Sequence, residues 1–359
     1  MLKPGDRIGI LGGGQLGRML ALAAAPLGLK TVIFAPERES PAFEVSSHHI
    51  CAAYEDQEAL SDFASQVDRV TYEFENVPLS TARFIEAKQL LAPNARALEI
   101  TQDRFLEKTF ISNLGIPLAP FLPVSKAEDL KEACEQVGFP CILKTRRFGY
   151  DGKGQIMIRS LNEIEDALRL VRQAPCIVEA FVPFTDEVSV IAARSDNGEF
   201  SVFDLCLNRH KNHILDETEI PSFLPQATEE QARAIAKKIT DNLDYTGVLT
   251  IELFVVIKDD IRQLVVNEIA PRVHNSGHWT IEGAVTSQFE QHIRAICGWP
   301  LGSTRRLGRI FMKNLIGSDY HQWLSLLEQK GTHLHLYGKT DIREGRKMGH
   351  ITCILPEEA

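Results

Sequence analysis

The chain has no C-x-x-C pair, although it carries seven cysteines, at 51, 134, 141, 176, 206, 297 and 353. An odd number of scattered thiols excludes a disulfide frame and fits reduced cysteines in the cytoplasm. A basic excess is missing too. The formal net charge is −9, which excludes a general nucleic-acid binder but leaves room for a local basic pocket that takes a small anion. The apolar segment 19–29 is too short to span a bilayer and contains Pro26. The first residues, Met1-Leu2-Lys3-Pro4-Gly5-Asp6-Arg7, lack a signal-peptide pattern. Low-complexity tracts and internal repeats are absent. A cytoplasmic protein without membrane or nucleic-acid partners is expected.

With 359 residues the chain can build two or three packed domains. Residues 7–11 read as a buried strand, Gly12 to Leu20 turn into a helix, and strands follow at 31–34 and near 69–72. Strand-helix-strand alternation of this kind makes a doubly wound parallel sheet. Gly12, Gly14 and Gly17 match G-x-G-x-x-G, and Glu37 lies about twenty residues on, where a dinucleotide fold keeps its ribose-binding acid. The same loop suits any phosphate or small polar substrate, because it offers backbone N–H groups at a helix N-terminus.

A second section opens near Thr101, with a helix that begins at Asp103-Arg104 and ends before Gly115-Ile116-Pro117. Strands at 140–144 and 155–158 flank the loop 145–154, which has three glycines and three basic residues, with Lys144 just upstream. It is not a Walker loop, since G-x-x-x-x-G-K-[ST] is absent and a strand follows. A basic, glycine-rich hairpin can close over phosphates; it can also be a plain surface hairpin.

Further strands are expected at 176–182 and 187–192, and a helix over 229–243. The strand 248–251 delivers Glu252, and the strand 264–266 runs on to Asn267 and Glu268, with a polar turn between them. As antiparallel neighbours the two carboxylates would face each other and repel unless a cation lay between them. Such a pair is either a solvated face or a site for Mg²⁺, a hard ion held by few protein oxygens plus substrate phosphates. The loop that follows carries Arg272, His274, Asn275, Ser276 and His278. His274 and His278 have a zinc-like spacing, but no third ligand is near in sequence. Short strands are expected after Gly308, with His333 and His335 facing solvent and a basic turn over 343–350 whose Arg346-Lys347 is either solvated or ligand-binding.

Taken in order, Gly14-Gln15-Leu16-Gly17-Arg18-Met19, Lys144, the segment 149–155, Glu179-Ala180-Phe181-Val182, Glu187, Glu252, Asn267-Glu268, the segment 270–280 and the segment 345–350 resemble the ATP-grasp enzymes. More narrowly the chain is similar to the N5-carboxyaminoimidazole ribonucleotide synthetase family of purine biosynthesis, in register over nearly its whole length. The resemblance implies an α/β ATP-grasp fold. It places a doubly wound parallel-sheet pre-ATP-grasp domain at 1–100, the ATP-grasp core at 101–300 with a lid at about 118–182, and a small β-rich C-terminal domain at 301–359. The family usually continues beyond Gly349-His350 with a further helix and strand, so the last domain is expected to be abbreviated.

The implied function is a ligase that uses ATP and Mg²⁺, or Mn²⁺, to carboxylate 5-aminoimidazole ribonucleotide with bicarbonate through carboxyphosphate. Its partners are small molecules, and a homodimer is the implied assembly. Glu252 and Glu268 would hold the metal. Arg104, Lys144 and the loop Gly149, Tyr150, Asp151, Gly152, Lys153, Gly154 and Gln155 would take the triphosphate. Glu179, Ala180, Phe181, Val182, Glu187, His210 and Asn267 would complete the nucleotide site. Arg272, His274, Asn275 and Ser276 would hold bicarbonate and carboxyphosphate, with Lys153 and Asp151 at the reacting centre. Gln15, Glu73, Tyr150, Arg272, Lys339, Arg346 and Lys347 would bind the ribonucleotide. The alternatives are a formate-dependent glycinamide ribonucleotide transformylase on the same fold and, further off, an NAD-dependent oxidoreductase, which leaves Glu252, Glu268 and the 149–155 loop unexplained. A non-catalytic relative would lack Lys144, Glu252 or Glu268, and all three are present.

Overall fold

The computed structural model describes residues 1–149 and 152–355. Four strands, β1 (Arg7–Leu11), β2 (Lys30–Ala35), β3 (His48–Cys51) and β4 (Arg69–Tyr72), form a parallel sheet in the order β3-β2-β1-β4. β1 and β2 are apolar at nearly every position, as parallel strands covered on both faces are. One face packs Val32 and Phe34 against Phe63 and Leu60 of the helix Gln57–Ser65. The other places Ile8 and Ile10 against Leu20 of the helix Gln15–Ala24, in one core with Ile293 and Ile296 of the helix Gln288–Cys297. Each such side chain contributes roughly 1.5–3 kcal/mol by burial, so the first sheet is locked to the second half of the chain.

A small antiparallel sheet follows: β5 (Phe121–Val124), β6 (Cys141–Thr145), β7 (Gln155–Ile158) and β8 (Cys176–Ala180), in the order β5-β8-β6-β7. Its own core joins Leu143, Ile158 and Val178 to Leu130, Ala133 and Ala167 of two covering helices, Ala127–Val137 and Ile164–Val171.

The third sheet is antiparallel and has nine strands. They are β9 (Asp186–Arg194), β10 (Phe200–Val202), β11 (Cys206–Lys211), β12 (Ile214–Ile220), β13 (Gly247–Lys258), β14 (Ile261–Ala270), β15 (Arg309–Ile316), β16 (Thr332–Leu336) and β17 (Lys347–Leu355). The order is β14-β13-β9-β11-β12-β15-β17-β16, with β10 on β9. The C-terminal strands are thus hydrogen-bonded to the large sheet through the β12–β15 ladder. Helix Gln226–Asn242 covers one face, with Ala232, Ile235, Ala236 and Ile239 at helical spacing in a core with Leu249, Ile251 and Leu264. Two details differ from the sequence expectation. Lys347 to His350 begin β17 rather than ending a turn. His335 is not solvent-facing: it hydrogen-bonds Glu282 and stacks on His350 at 4.6 Å between ring centroids, because the β16–β17 ladder sets the two histidines side by side.

Candidate active site

The three sheets converge on one cleft of about 1470 Å³. On the large sheet Glu252 and Glu268 are cross-strand partners in the β13–β14 ladder. The next pair is Leu253 with Val266, so Asn267 is the extra residue of a bulge, a device that re-aims side chains. Each carboxylate has a hydrogen-bonding partner of its own. Glu252 Oε1 lies 3.1 Å from His274 Nε2, and Glu268 Oε2 accepts from Arg104 Nη1 at 3.0 Å. Burial would raise the Glu252 carboxyl, but the hydrogen bond and charge of His274 outweigh it and hold it at about 2. Two carboxylates set side by side at a cleft fit Mg²⁺ that completes its shell with water and phosphate. Among the described residues no group of three or more His, Cys, Asp or Glu could hold a metal, so a zinc or calcium cage is not built here. His278 is buried against Phe289, Tyr337 and His350, away from His274's partner Glu252.

The base of the glycine-rich loop is tied to the helix Arg104–Asn113. Asp103 caps that helix and binds Arg146 through both carboxylate oxygens at 2.8–3.1 Å. Arg104 donates to Gly149 O at 3.2 Å. Gly152 and Gly154 have φ of +75° and +71°, a backbone that favours glycine. Tyr150 and Asp151 lie outside the described residues; Gly149, Gly152, Lys153 and Gln155 line the cleft, while Gly154 packs on Thr145. Lys144 also lines it and donates to Glu179 Oε2 at 2.9 Å, an oxygen shared with buried Lys108 at 3.2 Å. Burial opposes ionisation of Glu179, but the two lysines hold its carboxyl at about 2. Glu179 itself does not line the cleft: it orients Lys144 from behind.

Beyond this loop Phe181 lines the cleft beside Phe184, which stacks on Phe254 at 4.5 Å. Ala180 N–H is bound to Pro120 O, and Val182 C=O accepts from Phe184 N–H, so two of their four backbone polar groups are committed within the chain. Glu187 Oε2 meets His210 Nδ1 at 2.9 Å.

The loop after β14 is stiff. Gln288 clamps His274 by its backbone at both N–H (2.9 Å) and C=O (2.7 Å). Asn275 and Asn314 exchange two amide hydrogen bonds of 2.8 Å, so the Asn275 side chain is committed although it borders the cleft. Ser276 is fully buried; it bonds Ser189 at 2.7 Å and His274 Nδ1 at 2.9 Å, and so steadies the imidazole instead of facing the cleft. Arg272 is paired with Glu75. Burial would raise the Glu75 carboxyl, but Arg272 holds it at about 2.

From the first sheet come Gln15, Glu73 and Glu75, and from the C-terminal segment Lys339, Arg346 and Lys347, all lining the cleft. Lys339 donates to Lys347 O at 2.8 Å; burial and Arg346 push its amine down to about 8. The glycine-rich turn after β1 is already filled. Glu73 accepts from Gly14 N at 2.8 Å and Gly17 N at 3.0 Å, so those amides do not await a pyrophosphate. That removes the basis of the dinucleotide reading. Sequence reasoning missed Glu75, Lys108, Asn314 and Gln288. The i,i+4 spacing of Arg104 and Lys108 could have found the lysine, since it sets both on one helix face. Glu75 lies just past the carboxyl end of β4, where open α/β sheets bind ligands.

Comparison with known proteins agrees with this architecture. Residues 6–102 match the ribonucleotide synthetase preATP-grasp domain, residues 109–289 the ATP-grasp domain, and residues 311–359 the phosphoribosylaminoimidazole carboxylase C-terminal domain. An N5-carboxyaminoimidazole ribonucleotide synthase of Brucella melitensis is 50% identical over 99% of this chain and 98% of its own. A crystal structure of an N5-carboxyaminoimidazole ribonucleotide synthetase in complex with ADP superposes with TM-score 0.95 at 42% identity, covering 99% of this chain and 94% of that one. The Aspergillus clavatus synthase in complex with ADP and 5-aminoimidazole ribonucleotide superposes with TM-score 0.91 at 30% identity, over 99% and 95%.

Proposed function

The chain belongs to the N5-carboxyaminoimidazole ribonucleotide synthase family of ATP-grasp ligases, and from that premise we propose how its cleft joins ATP, bicarbonate and 5-aminoimidazole ribonucleotide. The enzyme is an ATP-dependent carbon–nitrogen ligase of purine biosynthesis. A bicarbonate oxygen takes the γ-phosphoryl group of ATP, giving ADP and carboxyphosphate. Carbon–oxygen cleavage releases phosphate, and the exocyclic amine of the ribonucleotide bonds to the carbon and loses a proton, giving the carbamate.

One observation carries the assignment of residues: the loop of Arg272 and His274 runs straight on from the strand of Glu268 and borders the same cleft as Lys153 and Lys339. Nucleotide, acceptor and ribonucleotide therefore have contiguous sites, as a labile intermediate requires. Arg104, Lys144 and Lys153 would neutralise the triphosphate, with Tyr150 and Asp151 completing the loop. Phe181 and the backbone of Ala180 and Val182 would hold adenine, and Glu187 with His210 the ribose hydroxyls. Glu252 and Glu268 would hold Mg²⁺, or Mn²⁺, with Asn267 beside them; the ion, when bound, supplies charge neutralisation at the phosphates. Arg272 and His274 would grip bicarbonate and carboxyphosphate. Asn275 and Ser276 support that grip by holding the loop and the imidazole. Gln15, Glu73, Lys339, Arg346 and Lys347 would receive the ribonucleotide. The homodimer and the cytoplasmic setting stay part of this proposal, and sedimentation velocity decides the first.

The test is phosphate release from ATP with ¹³C-bicarbonate and 5-aminoimidazole ribonucleotide, run beside formate with glycinamide ribonucleotide. Release that needs the first pair and puts label into the carbamate is expected. Turnover with the second pair would overturn the assignment.

A further inference from the structure

β14 is the edge strand of the large sheet, so one side of its backbone has no neighbouring strand, and the bulge at Asn267 interrupts the ladder on the other side. The helix Arg104–Asn113 supplies what the sheet does not. Arg104, Glu107 and Lys108 share one face of it by their i, i+3, i+4 spacing. They take three successive residues of the bulged segment. Lys108 Nζ donates to Asn267 O at 3.3 Å, Arg104 Nη1 donates to Glu268 Oε2 at 3.0 Å, and Ile269 N–H donates to Glu107 Oε1 at 2.7 Å. Just before them Val266 N–H donates to Pro117 O at 2.9 Å. Glu107 and Lys108 are buried, so water does not compete for these bonds. Asp103 fixes the start of the helix, capping it while it binds Arg146.

We propose that Glu107 is a positioning residue for the carboxylate pair: by accepting the Ile269 N–H it holds the backbone on one side of Glu268, and with Lys108 on the other side it fixes the direction in which the bulge aims that carboxylate. A bulge re-aims a side chain only as well as its own backbone is held, and here the ladder does not hold it. The use of the pair for Mg²⁺ rests on the function proposed above; the clamp on the bulge does not. Glu107 also borders the cleft, so the rival reading is a charge that acts on the ion directly. The two differ in what a neutral oxygen at this position can do. Positioning needs only an acceptor for the N–H, whereas a charge at the ion needs the carboxylate.

The experiment uses the full-length chain and two readouts: Mn²⁺ binding in the presence of ADP, followed by electron paramagnetic resonance, and exchange of the Ile269 amide proton in the ligand-free protein, followed by NMR. Glu107→Ala removes the acceptor. Mn²⁺ is expected to bind roughly ten- to hundredfold more weakly, as when a group that orients a metal ligand is lost, with metal-free ADP affinity within about twofold of the parent's. The Ile269 amide is expected to exchange roughly tenfold faster or more. Glu107→Gln keeps an oxygen for the amide and loses the charge, and both readouts are expected within about threefold of the parent's. Glu107→Met fills the volume without an oxygen and serves if the alanine variant does not fold. Parental Mn²⁺ affinity in the variant that lacks the acceptor would overturn the proposal, and so would a glutamine variant as impaired as that one. If the parent binds no Mn²⁺ with ADP, the metal reading of Glu252 and Glu268 fails, and the clamp stands or falls with the Ile269 amide.

Discussion

His292 joins the first sheet to the large one, and its protonation state should govern acid stability. Its Nδ1 accepts from Val248 N–H at 3.0 Å, so the proton of the neutral ring is on Nε2, which donates to Thr71 Oγ1 at 2.8 Å. Thr71 is on β4 and Val248 on β13. Protonation would set an N–H against the Val248 N–H in a dry interior, and burial pushes the imidazole down to about 3. An unfolded histidine titrates near 6.5. Between these values the unfolded chain binds a proton that the folded chain refuses. The stability from this ring is therefore complete above pH 6.5 and is lost as pH falls toward 3. At about 1.36 kcal/mol per pH unit, the loss between pH 7.5 and 4.5 is about 2.7 kcal/mol. Other groups act in the same window. His278 and His350 are depressed by burial and add to the loss, whereas Glu107, raised to about 8 by burial and Glu268, has the opposite sign. The comparison must then be with a variant, in which those contributions cancel. His292→Asn keeps an acceptor for Val248 N–H and cannot titrate. Urea unfolding followed by tryptophan fluorescence reports on the same core, where Trp279 is buried. The stability gap between parent and variant is expected to move by about 2.7 kcal/mol in the variant's favour from pH 7.5 to 4.5. Parallel profiles, or a folded-state imidazole that titrates near 6.5 by NMR, would refute the reasoning.

Glu268→Gln keeps the side chain's size but removes charge from the carboxylate pair, and turnover should fall roughly a hundredfold or more with a higher Mg²⁺ requirement; a parental rate and metal dependence would sink the metal assignment. Arg272→Ala should raise the bicarbonate requirement roughly ten- to hundredfold, the worth of one charge-assisted pair, while ATP titrates as in the parent; collapse of the ATP dependence instead would show the acceptor and nucleotide sites wrongly divided. Trypsin cleavage after Arg147 and Lys153 should slow when an ATP analogue and Mg²⁺ are present, because phosphate contacts offset the entropy of fixing the glycines; equal cleavage with and without nucleotide counts against loop closure.

Local pattern carried a good part of this protein. The apolar runs at 7–11 and 31–34 with the glycine turn between them specified a parallel unit, since such strands must be covered on both faces. Two strands joined by a polar turn brought Glu252 and Glu268 close, but the hairpin register alone sets Glu252 opposite Asn267, and it is the bulge at Asn267 that places Glu268 across from it. The glycines and basic residues of the loop 145–154 allowed a hairpin that closes over phosphates, whereas an anionic acceptor at 270–280 was implied by the family resemblance and not by local spacing.

Other features were settled only when distant segments packed. Glu73 reaches Gly14 and Gly17 because β4 lies beside β1, and no local spacing tells a glycine turn that its own chain will fill it. Lys108 and Lys144 share Glu179 across a helix and two strands, and His292 bridges Thr71 and Val248 from two different sheets. Asn275 and Ser276 read as ligand-holding residues in sequence but spend their polar groups on Asn314, Ser189 and His274. The physical reason is the same in each case. A residue's type and spacing decide which face of an element it occupies, whereas a buried polar atom's partner depends on which element is laid against that face. A missing partner costs about 1–3 kcal/mol, so it is the packing of the three sheets that makes the final assignment.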